Sequence, residues 1–218
     1  MRSKQDIENA LTDPGVIAVV RTRNAAQVPP MCDALVAGGV IAIEITMTTP
    51  NALEAIRAMA ARLGERAVVG VGTVLDAATC RAAIAAGAEF VVTPVLRPDV
   101  AAVARESGRP VMLGAYTPTE AQLAHEAGAD FIKIFPADTL GPGFIKNLLA
   151  PLPHLRIVPT GGVTQANIAD FLRAGCAAVG VGSPLMTPRI LAEENWAELT
   201  RQAAQFVQLA RAARGTGA

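Results

Sequence analysis

A single lysine interrupts an apolar stretch of this chain, Phe131-Ile132-Lys133-Ile134-Phe135. The chain has only three lysines among its 19 basic residues, so arginine supplies most of its positive charge. A buried ammonium group is costly without a partner. Unlike arginine, a desolvated lysine can lose its proton and become a nucleophile. Lys133 is therefore predicted to form a covalent imine with a carbonyl substrate. The structural alternative is a lysine that snorkels to solvent or pairs with an acid.

A second lone charge, Glu44, lies in the apolar stretch Ile41-Ala42-Ile43-Glu44-Ile45-Thr46. Because side chains alternate along a β-strand, Glu44 shares its face with Ala42 and Thr46. A partly desolvated carboxylate close to a lysine can transfer protons near neutral pH. Glu44 is therefore predicted to be the acid–base residue. A purely structural Glu–Lys ion pair is the alternative.

Two pairs of glycines follow apolar stretches late in the chain, in Pro159-Thr160-Gly161-Gly162 and in Gly180-Val181-Gly182-Ser183. In α/β barrels, the loops after strands 7 and 8 often bind phosphate through backbone N–H groups. Glycine lets the backbone approach the anion closely. These loops are predicted to bind a substrate phosphate, and ordinary turn-forming glycines are the alternative. The residues assigned to this part of the site are Thr160, Gly161, Gly162, Gly182 and Ser183.

Arg21, Thr73 and Pro94 each end another apolar stretch. Side chains at the carboxyl ends of barrel strands face the active site. A guanidinium group and a hydroxyl group at that position can hold a substrate carboxylate. Arg21 and Thr73 are therefore predicted to bind substrate, although a cap or turn is an equally good explanation for Thr73.

The elements that position these residues repeat one small unit, in which a short apolar strand precedes a helix that ends near a glycine. Near-continuous apolar strands that alternate with helices are typical of a parallel sheet covered on both faces. Eight units in 218 residues predict a closed (β/α)8 barrel. The alternative is an open doubly wound sheet, but no GxGxxG motif follows the first strand. The predicted strands are 16–21, 41–46, 68–73, 90–93, 111–114, 131–135, 157–160 and 178–182.

Helix boundaries are marked by capping residues and prolines. Pro50, Pro98 and Pro118 are predicted at first helical positions, and Asp76 and Thr164 at N-caps. Thr117 and Glu120 have the spacing of a capping box. Outside the repeat, helices are predicted over 4–11 and 193–214. With no linker or low-complexity segment in view, residues 1–218 are predicted to form a single domain.

Composition excludes several classes of function. The formal net charge is zero, so neither nucleic acid nor an anionic membrane is an expected partner. No apolar stretch is long enough to span a membrane, and the polar first ten residues lack a signal-peptide core. The three cysteines are far apart, which predicts reduced thiols and no zinc site. A cytoplasmic protein is expected.

The chain resembles the 2-keto-3-deoxy-6-phosphogluconate (KDPG) aldolase family, whose members often also cleave 4-hydroxy-2-oxoglutarate (KHG). The resemblance extends from about residue 15 to residue 186, and its most specific segments are Ile132-Lys133-Ile134-Phe135-Pro136 and Pro159-Thr160-Gly161-Gly162-Val163. The other matching segments are Ala37-Gly38-Gly39-Val40, Ile43-Glu44-Ile45-Thr46, Gly70-Val71-Gly72-Thr73-Val74 and Val92-Thr93-Pro94.

The resemblance implies a homotrimeric class I aldolase that needs no metal or other cofactor and acts on a small phosphorylated 2-oxo acid. It implies Lys133 as the Schiff-base residue, Glu44 as the acid–base residue and Thr73 as a contact of the pyruvyl carboxylate. The pocket residues it implies are Pro94 and Phe135. The implied phosphate loop consists of Gly161, Gly162, Gly182 and Ser183.

The chain departs from the family pattern at one position. Some members carry an arginine just after strand 2 that binds the substrate carboxylate, whereas this chain has Thr48 there. Other members instead have an arginine that ends strand 1, as Arg21 does here. A branch acting on the galactonate epimer typically has an apolar residue in place of Thr160.

The predicted reaction is cleavage of KDPG to pyruvate and glyceraldehyde 3-phosphate, with KHG as a possible second substrate. The galactonate epimer is the alternative substrate. A phosphate-binding barrel isomerase or epimerase, and a non-catalytic small-molecule-binding barrel, are the alternatives of other classes.

Overall fold

A computed structural model describes residues 2–215 of the chain. All eight predicted strands are present and parallel, in the order β7-β6-β5-β4-β3-β2-β1-β8. A bridge between Thr160 and Gly180 joins the two ends of this sheet. The predicted (β/α)8 barrel is confirmed, and the open doubly wound alternative is wrong. The strands are β1 Val16–Val20, β2 Ala42–Thr46, β3 Val68–Gly72, β4 Val91–Val92, β5 Val111–Ala115, β6 Phe131–Ile134, β7 Ile157–Pro159 and β8 Val179–Val181.

Helices connect the strands on the outside of the barrel. The single-domain prediction covered residues 1–218, of which residues 1 and 216–218 lie outside the described range. The helices are α1 Lys4–Thr12, α2 Val28–Ala37, α3 Ala52–Leu63, α4 Ala77–Ala85, α5 Pro98–Glu106, α6 Pro118–Glu126, α7 Gly141–Leu149, α8 Ile168–Arg173, α9 Pro188–Glu193 and α10 Trp196–Gly215.

Most helix starts follow the predicted signals. Pro98 and Pro118 open α5 and α6, and the capping box between Thr117 and Glu120 is present. The Asp76 side chain accepts a hydrogen bond from the backbone of Thr79, so Asp76 is the N-cap of α4. The capping side chains accept hydrogen bonds from backbone N–H groups that the first helical turn leaves unpaired. A proline at the first helical position has no N–H group, so none is left unpaired there.

Three boundary predictions are wrong. Pro50 lies in a turn before α3, because Asn51 adopts a left-handed conformation and the helix begins at Ala52. Thr164 is not the N-cap of α8. Its amide donates to the Asn167 side chain at 2.7 Å, which forms a turn ahead of the helix. The C-terminal helix predicted over about 193–214 is present as α10, but it begins three residues later, at Trp196, because Glu194 is left-handed and ends the preceding helix α9.

The N-terminal helix predicted over 4–11 is confirmed and closes one end of the barrel. Ile7 and Leu11 of α1 pack on the side chains that fill the barrel interior, including Ile17 and Phe131. The Arg156 guanidinium lies 4.0 Å from the centre of the Phe131 ring. Strand residues near the amino ends are therefore sealed from solvent, so a substrate has to enter at the carboxyl ends of the strands.

Candidate active site

Lys133 and Glu44, which sequence reasoning selected separately, face each other inside the barrel. Lys133 lies on β6 and Glu44 on β2, and the Lys133 Nζ atom is 3.7 Å from Glu44 Oε1. Lys133 is 5% exposed and Glu44 is 2% exposed. An ion pair held this far from water is strong only when its remaining polar atoms are also satisfied.

Glu44 Oε1 makes no hydrogen bond to any residue in the described range. A buried carboxylate oxygen without a hydrogen-bond partner is uncommon in folded proteins and calls for a functional or structural explanation. Here the oxygen faces Lys133 Nζ and has no hydrogen-bond partner among the described residues. The geometry permits both an acid–base role and the simpler ion pair.

The space occupied by the Glu44 carboxylate exists because β3 carries glycine beside it. A Cβ atom built on Gly72 would lie 1.9 Å from Glu44 Oε1, which no real packing permits. The next residue, Thr73, has φ +60°, a left-handed backbone conformation that is costly for a non-glycine residue. The end of β3 is thus strained where it passes the predicted acid–base residue.

Phe135 separates the buried pair from the open mouth. Its ring centre is 5.4 Å from Lys133 Nζ, and the side chain is 40% exposed. Phe135 also lines the large cavity at the mouth of the barrel. The site is therefore aromatic on the side of Lys133 that faces Phe135.

That cavity has a volume of about 1200 Å³ and brings together most of the predicted substrate-binding residues. Lys133, Glu44, Thr73 and Pro94 do not line it. The first two are buried, Thr73 directly follows β3, and Pro94 lies two residues after β4. The predicted residues that line it are Arg21, Phe135, Thr160, Gly161, Gly162, Gly182 and Ser183.

The two glycine loops meet because the barrel closes between β7 and β8. Gly161 and Gly162 have φ of +88° and +73°, which favour glycine. Across the closure, a Cβ atom on Gly180 would lie 2.3 Å from the Thr160 hydroxyl oxygen. Both loops line the cavity, and their glycines have no side chain to cover the backbone, which suits an anion site.

Sequence reasoning missed the loop that follows β1. Besides Arg21, this loop contributes Thr22, Arg23 and Asn24 to the cavity, and Gln27 follows them. Thr22 is buried, although Arg21 and Arg23 on either side of it are exposed. The available signal was position alone, since residues directly after a barrel strand face the active-site end.

Several features bear on metals and thiols. Within residues 2–215, no group of three or more His, Cys, Asp or Glu side chains is arranged to hold a metal ion. All three cysteines are buried and free. Burial raises the pKa of Cys32 and Cys176 to about 12 and that of Cys80 to about 11.

Within the same residues, no helix is long and apolar enough to cross a membrane.

The family model described as KDPG and KHG aldolase matches residues 7–202. The chain belongs to this family. An aldolase of Pseudomonas aeruginosa named for 2-dehydro-3-deoxy-phosphogluconate is 38% identical over 200 residues, covering 89% of each chain. The 2-dehydro-3-deoxy-6-phosphogalactonate aldolase of Escherichia coli K12 is 36% identical and covers 91% of this chain and 95% of its own. The protein is therefore an aldolase, a carbon–carbon lyase.

Solved structures of the KDPG aldolase family share the fold. A structure described as native KDPGal has a TM-score of 0.85 at 35% identity and covers 92% of this chain and 96% of its own. The KDPG aldolase of Legionella pneumophila, with pyruvate captured as a covalent carbinolamine, has a TM-score of 0.84 at 26% identity and covers 90% and 96%. The Zymomonas mobilis enzyme with 3-phosphoglycerate has a TM-score of 0.84 at 32% identity and covers 97% and 99%.

Proposed function

We propose that this aldolase cleaves KDPG to pyruvate and glyceraldehyde 3-phosphate through an imine on Lys133. The observation that carries this proposal is the buried pair in which Lys133 Nζ lies 3.7 Å from Glu44 Oε1. The covalent pyruvate adduct of the Legionella relative supports a carbinolamine step. An isomerase would need no imine, and a binding barrel would need no proton-transfer group.

The chemistry begins when the neutral Lys133 amine attacks C2 of the 2-oxo acid. The carbinolamine takes up a proton on its hydroxyl group, loses water and becomes an iminium, which serves as an electron sink. Glu44, acting through a water molecule, removes the proton of the C4 hydroxyl. The C3–C4 bond then breaks, its electrons form an enamine, and glyceraldehyde 3-phosphate leaves.

The second half of the cycle regenerates the lysine. Glu44 returns a proton to C3 of the enamine, which restores the iminium. Water adds at C2, and the resulting carbinolamine releases pyruvate and free Lys133. One carboxylate can serve in both directions because it gives up in the second half the proton that it gained in the first.

We propose that no metal or organic cofactor takes part, because the iminium supplies the electron sink that a metal ion would otherwise provide. Activity should then survive dialysis against EDTA. Loss of activity that a divalent cation restores would contradict this part of the proposal.

The choice of the gluconate substrate rests on Thr160. This residue is buried at the barrel closure and lines the cavity, where the galactonate branch typically has an apolar residue. The galactonate epimer is the second candidate because a relative named for it is 36% identical. KHG is a further candidate because its cleavage is in the name of the matched family model. Turnover of all three compounds, measured side by side, ranks them.

The decisive experiment is borohydride reduction of the protein in the presence of pyruvate, followed by peptide mass spectrometry. One reduced pyruvyl group should appear on Lys133. Modification of Lys146 instead, or of no lysine, would refute the covalent mechanism. Lys146 is a suitable internal control because it lies on α7, outside the barrel interior.

A cytoplasmic homotrimer is also proposed from the family resemblance. Support comes from exposed apolar side chains that follow three neighbouring strands, Leu75, Val95 and Tyr116, which are 40–51% exposed. Large exposed apolar groups close together commonly mark an interface between proteins. Light scattering after size exclusion should give three times the chain mass of 22.5 kDa. A monomeric mass would refute the trimer.

A further inference from the structure

Two arginines line the active-site cavity without a counter-ion. Arg21 and Arg23 are exposed, and neither forms an ion pair or side-chain hydrogen bond with any residue in the range 2–215. No aspartate or glutamate from this range lines the cavity. The residues that line the cavity therefore carry a formal charge of +2, which favours an anionic ligand.

The loop that carries these arginines is held in place by a buried hydroxyl. Thr22 donates to the Gln27 side-chain oxygen at 2.8 Å and accepts from the Asn24 backbone at 3.1 Å. The Gln27 side-chain nitrogen then donates to the Leu191 carbonyl at 3.0 Å and to Glu194 at 3.2 Å. These bonds connect the loop to α9, which lines the same cavity through Leu191.

The phosphate loops lack a cation of their own. Gly161, Gly162, Gly182 and Ser183 offer backbone N–H groups and one hydroxyl to a group with a charge near −2. β1 pairs with β8, and a Cβ atom on Gly182 would be 3.6 Å from the Val19 carbonyl. The loop after β1 is thus the neighbour of the loop after β8, and Arg23 lines the same cavity as the glycine loops.

Position along the loop separates the roles of the two arginines. Arg21 directly follows β1, which pairs with β2, the strand that carries Glu44 opposite Lys133. It therefore suits the C1 carboxylate beside the reacting C2. Arg23 lies two residues farther out, and the phosphate is attached to C6, at the opposite end of the substrate. We propose that Arg23 is a specificity-determining residue that binds the substrate phosphate together with the glycine loops. This inference rests on the proposed function.

The test compares Arg23→Gln with the unaltered enzyme on KDPG and on its unphosphorylated six-carbon analogue. The substitution removes a charge-assisted contact to the phosphate, which only KDPG carries. The kcat/KM for KDPG should therefore fall by about 10- to 100-fold. Turnover of the unphosphorylated analogue and trapping of pyruvate on Lys133 should each stay within about twofold. Arg23→Lys should retain part of the preference, because the charge remains while the two-pronged geometry is lost.

Arg57→Gln is the matched control, since Arg57 is an exposed arginine on the outer helix α3. This control variant should leave the kcat/KM of both substrates unchanged. Inorganic phosphate is a second probe, and its inhibition constant should rise about tenfold in Arg23→Gln. An equal loss on both six-carbon substrates, or no loss on either, would overturn the proposal. If the unaltered enzyme releases no pyruvate and forms no imine, the proposed function itself has failed.

Discussion

Glu44 and Lys133 lie on strands separated by three others, yet their charged atoms are 3.7 Å apart across the barrel interior. An open sheet would hold β2 and β6 ~19 Å apart, because four spacings of ~4.8 Å separate them. Closure of the sheet into a barrel therefore brings the two charged groups together. It is also what places both groups in a region that water hardly reaches.

Glu44→Gln should lower turnover by about 10²- to 10⁴-fold, the usual contribution of a positioned acid–base group. The glutamine side chain has nearly the same shape as glutamate, but its amide group cannot act as a base near neutral pH. Pyruvate should still be trapped on Lys133 to a measurable extent, because the nucleophile remains. A thermal melt of the variant separates this loss from unfolding. Near-normal cleavage would leave Glu44 as a structural partner of Lys133 alone.

Gly72→Ala should reduce turnover by about 10- to 100-fold, because the new methyl group must displace the Glu44 carboxylate, and small misplacements of a catalytic group are costly. The matched control is Gly143→Ala, since a Cβ atom there would meet nothing within 4 Å. Steady-state kinetics should show the loss mainly in kcat. If Gly72→Ala cleaves substrate as well as the control, the position of the Glu44 carboxylate is not critical.

Ser183→Ala should weaken the preference for the phosphorylated substrate by about tenfold, the cost of one hydrogen bond to a charged group. The unphosphorylated analogue should be cleaved as before. Substitution at Gly162 would be a poorer test, because its φ is +73° and a Cβ atom would lie 2.3 Å from that of Asp138. Equal effects of Ser183→Ala on both compounds would remove Ser183 from the phosphate site.

The cysteines should resist alkylation in the native protein. The thiolate is the reactive form, and burial raises the pKa of Cys32 and Cys176 to about 12, so little thiolate exists at pH 8. Labelling with iodoacetamide, followed by mass spectrometry, should be slow in buffer and complete in denaturant. Labelling should also accelerate as pH rises towards these pKa values. Fast native labelling at pH 8 would show that the thiols are accessible.

Local sequence was enough to predict the strands and several helix starts. Each of the eight predicted strands overlaps an observed one, because near-continuous apolar stretches bounded by turn residues have few other stable arrangements. One error occurred where a side chain bonds to a nearby backbone group, at Thr164, whose amide donates to Asn167, and two occurred where Asn51 and Glu194 adopt left-handed conformations. Such bonds and conformations depend on geometry that spacing alone does not show.

The residue types at Lys133 and Glu44 were themselves informative, since a charge inside an apolar strand is costly unless it has a use. Only the tertiary structure decided that these two charges meet and that Gly72 makes room for one of them. It also decided that Arg23 reaches the cavity of the glycine loops, because closure of the barrel places β1 beside β8. Contacts between residues far apart in the chain depend on closure of the whole sheet, which no local pattern encodes.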